Sequence, residues 1–203
     1  MASMRNIPGK SALYRIAGSS SPQPESSSGI VVMHDLGVTD KINLRCAPDN
    51  DVIARGLDRV VGTQLPTEAH RYNTSGLRSV IWCGPDEWLI LAENGTAETI
   101  TAELDRPEAG HVAVTNVSDA LGGLTMSGPH TRDVLAKHCA LDFHSTAFTP
   151  GMAQQTLLSH AGVNIICRAE DEFLIIGRSS FMPYIAELMM DAAIEYGYSY
   201  TPA

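Results

Sequence analysis

Three blocks of this chain decide its fold: VAVTNVSDALGGLTMSGPHTRDVLAKHC (residues 112–139), FTPGMAQQTLL (148–158) and VNIICRAEDEFLIIGRSS (163–180), followed by a helix-like tail to Tyr196. The same organisation occurs once earlier in the chain. Leu44, Cys46 and Pro48 correspond to Leu124, Met126 and Pro129, and Val52-Ile53 corresponds to Val134-Leu135. DEWLIL at Asp86 to Leu91 returns as DEFLII at Asp171 to Ile176, and the offset drifts only from 80 to 85 residues. A conserved order with small drift is what loop insertions produce between two copies of one unit.

Working outward, residues 29–106 form the first unit and 110–198 the second, with 1–28 ahead of them as a flexible arm. In the first unit, Ile30–Met33, Ile42–Cys46, Ser79–Cys83 and Trp88–Leu91 read as strands. Val52, Ile53, Leu57, Val60 and Val61 make one apolar helix face. Pro48, Asp49 and Asp51 mark that helix's start and Gly62 its end. Ala97–Leu104 is a second helix. In the second unit, His111–Val117, Gly123–Met126, Ala153–Ser159, Val163–Cys167 and Phe173–Ile176 are strands. Ser127-Gly128-Pro129 opens a helix carrying Val134, Leu135, His138 and Cys139, and Phe181–Tyr196 is a long one. The plan is α+β: two tandem ferredoxin-like half-units, each an antiparallel sheet with helices on one face. The Ser/Pro-rich tract Ser19–Ser28 has too little apolar surface to pack, and Leu13, Tyr14 and Ile16 ahead of it are free to dock on a partner.

Composition narrows the function. With 44% apolar residues the 203-residue chain is globular. A net charge of −9 and only 14 Lys and Arg, with no basic cluster, argue against nucleic acid and, more weakly, against an anionic membrane. No apolar run reaches spanning length and the N-terminus lacks a secretory signal pattern, so cytoplasmic residence is expected. Cys46, Cys83, Cys139 and Cys167 sit in apolar surroundings without a CxxC, so free thiols are expected.

The residues offer no catalytic constellation. GxGxxG, P-loop, GxSxG and HExxH patterns are all missing. Gly122-Gly123 reads as a short strand-to-strand turn rather than a phosphate cradle. His130, His138, Cys139 and His144 come nearest to a metal set, but His138 and Cys139 diverge by roughly 100° on a helix and cannot easily share an ion. Asp86-Glu87 and Glu170-Asp171-Glu172 sit at turns, where acids are ordinarily solvated. Trp82, Trp88 and Phe173 are core residues by default, with a partner-facing anchor as the sharper reading. Catalytic, cofactor-binding and metal residues are therefore all expected to be none.

The blocks also carry a family resemblance. VSDALGGLTMSGP, WCGPDEWLIL at Trp82 to Leu91, the SALY opening at Ser11 and the closing helix resemble the gamma subunit of heterotetrameric sarcosine oxidase. That family lies within the superfamily of the amino-terminal folate-binding fold of glycine cleavage T-protein. The resemblance implies a noncatalytic subunit with alpha, beta and delta partners, alpha foremost. FAD, FMN, NAD, tetrahydrofolate and zinc would then sit on those other chains, and none on this one. The implied complex oxidises sarcosine to glycine, with hydrogen peroxide and formaldehyde or methylenetetrahydrofolate. Two alternatives stand beside it: a subunit of an N-methylglutamate dehydrogenase or other N-methyl amine oxidase, and a stand-alone folate-binding C1-transfer protein. The chain ends at Ala203, short of the further domain of T-protein enzymes, and lacks the Lys-Gly-Cys signature of the tRNA-modifying relatives.

Overall fold

The computed structural model of the chain describes residues 9–25 and 27–203. In chain order its elements are β1 (Ser19–Ser21), β2 (Val31–Asp35), β3 (Thr39–Arg45), α1 (Asp51–Val60), β4 (Tyr72–Ser75), β5 (Arg78–Gly84), β6 (Glu87–Glu93) and α2 (Ala97–Leu104). There follow β7 (Ala113–Asn116), β8 (Leu121–Ser127), α3 (Thr131–Ala136), β9 (Ala153–Leu158), β10 (Ala161–Ala169), β11 (Glu172–Arg178), α4 (Met182–Ala193) and β12 (Tyr198–Thr201).

The strands make two sheets, ordered β4-β5-β6-β3-β7 and β1-β12-β2-β8-β11-β10-β9. The apolar repeats place them. In DEWLIL, Trp88 and Ile90 join a core with Ile53 and Leu57 of α1 and Ile100 and Leu104 of α2. In DEFLII, Phe173 and Ile175 join a core with Val134 and Leu135 of α3 and Ile185 and Met189 of α4. The alternate residues, Leu89 and Leu91 with Leu174 and Ile176, form a third cluster between the sheets. Both faces of these central strands are buried, which is why they read as unbroken apolar runs. The result is four layers: helices, sheet, sheet, helices.

In the five-stranded sheet, the order β5-β6-β3-β7 with α1 and α2 as crossovers is the split βαββαβ arrangement. The other sheet repeats it with β8, β10, β11 and β12, but β2 is inserted between β8 and β12. The expected units are therefore not closed. β2, from the first, pairs with β8 and β12, while β7, from the second, pairs with β3. The repeat also shifts by one side-chain period. Leu44 lies opposite Trp88 and Met126 opposite Phe173, so Leu44 corresponds to Met126, not Leu124. A slip of two residues keeps the same face, so the pattern of apolar residues does not resolve it.

Local signals explain the helix ends. Asn50, rather than Pro48 or Asp49, caps α1: its Oδ1 accepts from the N–H groups of Val52 and Ile53 at 3.1 Å each. Gly62, at φ +77°, donates to the Leu57 carbonyl at 2.9 Å and ends the helix as expected. The cap of α2 comes from a distant strand: Asp40 Oδ2 on β3 accepts from Thr96 and Ala97 N–H, both at 2.6 Å. α3 is short, so His138 and Cys139 lie beyond it.

The N-terminal segment departs furthest from expectation. Leu13 is fully buried in the core of the seven-stranded sheet, with Ile16 packed beside it, and only Tyr14 of that cluster faces outward. Ser19–Ser21 pairs with β12. Backbone hydrogen bonding does not need apolar side chains, so a Ser-rich tract can complete a sheet edge. Gly122 and Gly123 lie within β8 and not in a turn; a Cβ on Gly122 would stand 2.6 Å from Ala12 Cβ and Met182 Cγ. The glycine thus lets the N-terminal segment and α4 approach the sheet closely.

Candidate functional site: a cleft between the two sheets

At one edge the sheets are tied together. Ala153 N–H donates to the His70 carbonyl at 2.8 Å and Tyr72 N–H to the Gly151 carbonyl at 3.3 Å. Elsewhere they open onto a cleft of about 460 Å³, lined by residues of both. From the five-stranded sheet come Asn43, Cys83, Glu87, Leu89 and Thr115; from the other come Leu121, Gln155, Asn164 and Arg178.

Glu87 is spoken for: Oε1 accepts from Asn43 Nδ2 at 2.7 Å, and Oε2 lies 3.6 Å from Arg45. Burial pushes the Cys83 thiol up to about 11, and the Glu87 charge adds to the rise, so near neutrality it is a protonated thiol and a poor nucleophile. Arg178 makes no ion pair among the described residues. Asn164 Oδ1 is buried without a hydrogen-bond partner. On the same side of β3 lies Lys41, 2% exposed, with Nζ donating to Thr39 O and Oγ1 at 2.9 and 2.8 Å. Burial lowers its pKa, and the charges of Asp40, Asp119 and Asp35 oppose that. Among the described residues the cleft pairs no nucleophile with a base; they offer hydrogen bonds, one cation and apolar wall.

The residues marked in the sequence are scattered. His130 stacks on Tyr196 at 4.2 Å and contacts Ser28 Oγ and Asp133, Cys139 Sγ meets Thr156 Oγ1 at 3.5 Å, and His144 Nδ1 meets Thr146 Oγ1 at 2.8 Å. Each acidic turn is held by an arginine. Arg45 reaches Asp86 at 3.2 Å, while Arg132 lies 3.7 Å from Glu170 and 3.9 Å from Asp171. Trp88 is 1% exposed and donates Nε1–H to the Pro66 carbonyl at 3.0 Å, whereas half-buried Trp82 meets His70 edge-on. Cys46, Cys83, Cys139 and Cys167 are all free thiols. The sequence reading passed over Arg178 and Asn164, because a lone cation and a lone amide in a strand carry no motif. No helix among the described residues is long and apolar enough to cross a membrane.

Two stacked sheets between helix layers define the class: a T-protein-like α+β domain. A structure of glycine cleavage aminomethyltransferase T from Bartonella henselae shares this fold, with TM-score 0.61 and 13% identity over 85% of this chain and 48% of that one. The model of the sarcosine oxidase, gamma subunit family matches residues 45–195, and the chain belongs to that family. Sarcosine oxidase subunit gamma of Corynebacterium sp. (strain P-1) is 30% identical over 176 residues, covering 84% of both chains. That of an Arthrobacter species is 28% identical over 173 residues, again covering 84% of each. A chain of heterotetrameric sarcosine oxidase from Corynebacterium sp. U-96, solved with pyrrole 2-carboxylate, superposes with TM-score 0.73 at 26% identity, over 82% of this chain and 85% of that one.

Proposed function

We propose that this chain is the noncatalytic gamma subunit of a heterotetrameric sarcosine oxidase-type complex, and that it supports the assembly of that enzyme. The observation that carries the reading is the superposition, over most of both chains, on a component of such a complex. Two features of the cleft support it: Glu87 is held by Asn43 and Arg45, and burial raises the Cys83 thiol pKa to about 11. On this reading catalytic, cofactor-binding and metal residues in this chain are none. Partners are alpha, beta and delta subunits, alpha foremost, and the flavin, NAD, folate and zinc chemistry is theirs. The two units act as one body, since β2 and β7 cross between them. The protein works in the cytoplasm with its thiols reduced.

The test is co-expression with the proposed alpha, beta and delta subunits, followed by purification through a tag on one of them. The expected result is a flavin-coloured complex containing this chain and oxidising sarcosine, while the chain alone is colourless and inactive. A flavin band in the chain alone, or its absence from the purified complex, overturns the reading. Activity on N-methylglutamate and no activity on sarcosine moves the assignment to the related dehydrogenase.

A further inference from the structure

The turn that joins β6 to α2 reads Glu93-Asn94-Gly95-Thr96, and it holds the only Asn-Gly pair in the sequence. Asn94 and Gly95 are both exposed. Among the described residues, neither the Asn94 side chain nor the Gly95 N–H makes a hydrogen bond. The turn is closed one residue later: Thr96 N–H donates to the Glu93 carbonyl at 3.3 Å, and Thr96 Oγ1 donates to the same oxygen at 2.8 Å. A Cβ on Gly95 would meet nothing within 4 Å, so no neighbour obstructs an approach to its nitrogen. Its φ of +89° is one that glycine holds without strain.

The other described asparagines lack this combination. Asn43 donates to Glu87, Asn50 caps α1 and donates to the Ala109 carbonyl, Asn73 donates to the Gln64 carbonyl, and Asn116 accepts from Ser118. Asn164 sits inside β10, with a strand in register on either side. Each is also followed by a residue whose side chain crowds the next backbone nitrogen, where Asn94 is followed by glycine.

We infer that Asn94 is a self-modification site: it deamidates through Gly95, passes mainly to isoaspartate, and thereby loosens the start of α2. The Gly95 backbone nitrogen gives up its proton and bonds to Asn94 Cγ. The bond from Cγ to the side-chain nitrogen breaks, and that nitrogen leaves as ammonia. Water then opens the resulting five-membered succinimide at one of its two carbonyls, giving aspartate or isoaspartate; water is the only co-reactant. Isoaspartate routes the main chain through Cβ and Cγ, one carbon longer than before. The turn ends on a fixed point, because Thr96 and Ala97 N–H are both held 2.6 Å from Asp40 Oδ2. Thr96 gives α2 no side-chain cap of its own, so displacing these two N–H groups takes away the acceptor that starts the helix. The new carboxylate by itself does not, since negative charge near a helix N-terminus is favourable.

The experiment is ageing of the purified full chain in mildly alkaline buffer at body temperature, with circular dichroism to confirm that it stays folded. Peptide mapping by tandem mass spectrometry then reads each asparagine by its mass gain of about one dalton. Conversion at Asn94 is expected to run at least tenfold faster than at Asn73 or Asn116, with isoaspartate exceeding aspartate. Asn94→Gln, which would have to close a larger ring, and Gly95→Ala, whose Cβ shields the nitrogen, should each slow it at least tenfold. Hydrogen exchange at the amides of Ala97 to Ile100 should be at least threefold faster in the aged chain than in the fresh one. Asn94→Asp, which has the charge without the extra carbon, should exchange like the fresh chain. If Asn94 converts no faster than Asn73 and Asn116 in the folded chain, the site is overturned. If the aged chain exchanges like the fresh one, or Asn94→Asp exchanges as fast as the aged one, main-chain lengthening does not loosen α2 and that part of the inference is overturned.

Discussion

Val31 and Tyr198 lie side by side in parallel register, so a strand from near the start of the chain runs along one from near its end. β1 then pairs to the far side of β12, at Ser19–Tyr200 through Ser21–Tyr198. The N-terminal segment thereby wraps the C-terminal strand on both edges, with Leu13 anchored in the core beneath.

The first expectation follows from that anchor. Leu13→Ala removes a fully buried side chain, at a cost of about 3 kcal/mol. For a domain of this size that lowers the melting temperature by roughly 6–12 °C. Gly122→Val should also lower it, by driving a Cβ into Ala12 and Met182. Thermal unfolding followed by circular dichroism checks both, and an unchanged midpoint for Leu13→Ala would mean that the segment is not part of the core.

Arg132 offers a sharper test, because its shape matters as well as its charge. Nη1 donates to the Phe143 and Phe148 carbonyls at 2.7 and 2.9 Å, Nε to the Glu170 carbonyl at 2.8 Å, and the guanidinium lies 5.0 Å from the Phe173 ring centre. A lysine keeps the charge but cannot fork to three carbonyls. Arg132→Lys is expected to cost about 2 kcal/mol and Arg132→Ala about 3 kcal/mol, chiefly because the half-buried bonds to the Phe143 and Phe148 carbonyls lose their donor. Urea midpoints should rank wild type above Lys above Ala; a lysine variant as stable as wild type would leave only a charge role.

The cap donated by Asp40 to α2 is the third test. Asp40→Ala strips the acceptor from two N–H groups at the start of the helix, since Thr96 provides no side-chain cap of its own. The loss is about 2 kcal/mol, the upper end for a helix cap because Asp40 is nearly buried. Hydrogen exchange should accelerate first at the amides of Ala97 to Ile100. Uniform acceleration over the whole chain would speak for general destabilisation instead.

Much of this was legible beforehand. The paired DEWLIL and DEFLII hairpins located β6 and β11, and the helical spacing of Ile53 and Leu57 located α1, because each pattern has its own period. What period cannot report is the neighbour. Val31 and Met33 announce a half-buried strand but not which sheet it joins, and the exchange of β2 and β7 went unread for that reason. β1 was missed because its pairing is made by backbone groups under serine side chains. β12, Tyr-Ser-Tyr-Thr, has strand propensity but is short. At the cleft, Cys83 and Glu87 belonged to a recognised block, whereas Asn164 and Arg178 acquire meaning only when two sheets are stacked.

Alkaline pH should loosen the fold. Burial raises the Cys46 and Cys83 thiols to about 11 from an ordinary 9.0. A group whose pKa is raised on folding contributes stability below its unfolded pKa and loses it as pH climbs through the folded value. The loss should therefore run from pH 9 to about 11. Lys41, with its pKa lowered by burial, works in the opposite sense up to the ordinary lysine value of 10.5. Melting temperature across pH 8–11 should fall, less steeply for Cys83→Ala and more steeply for Lys41→Met. A Cys83→Ala profile parallel to wild type would remove the thiol from the explanation.

The exchange of β2 and β7 has a consequence for the order in which the chain is made. β2 emerges early in synthesis, yet its neighbours β8 and β12 are translated some 90 and 165 residues later. Until then a strand of Val, Val and Met waits with both edges unpaired. Cutting the chain between Asp105 and His111 would strand one orphan on each side, β2 in the first fragment and β7 in the second. The two halves are thus related by internal similarity but interlocked by exchanged strands, so neither carries within itself all the neighbours its own strands pair with.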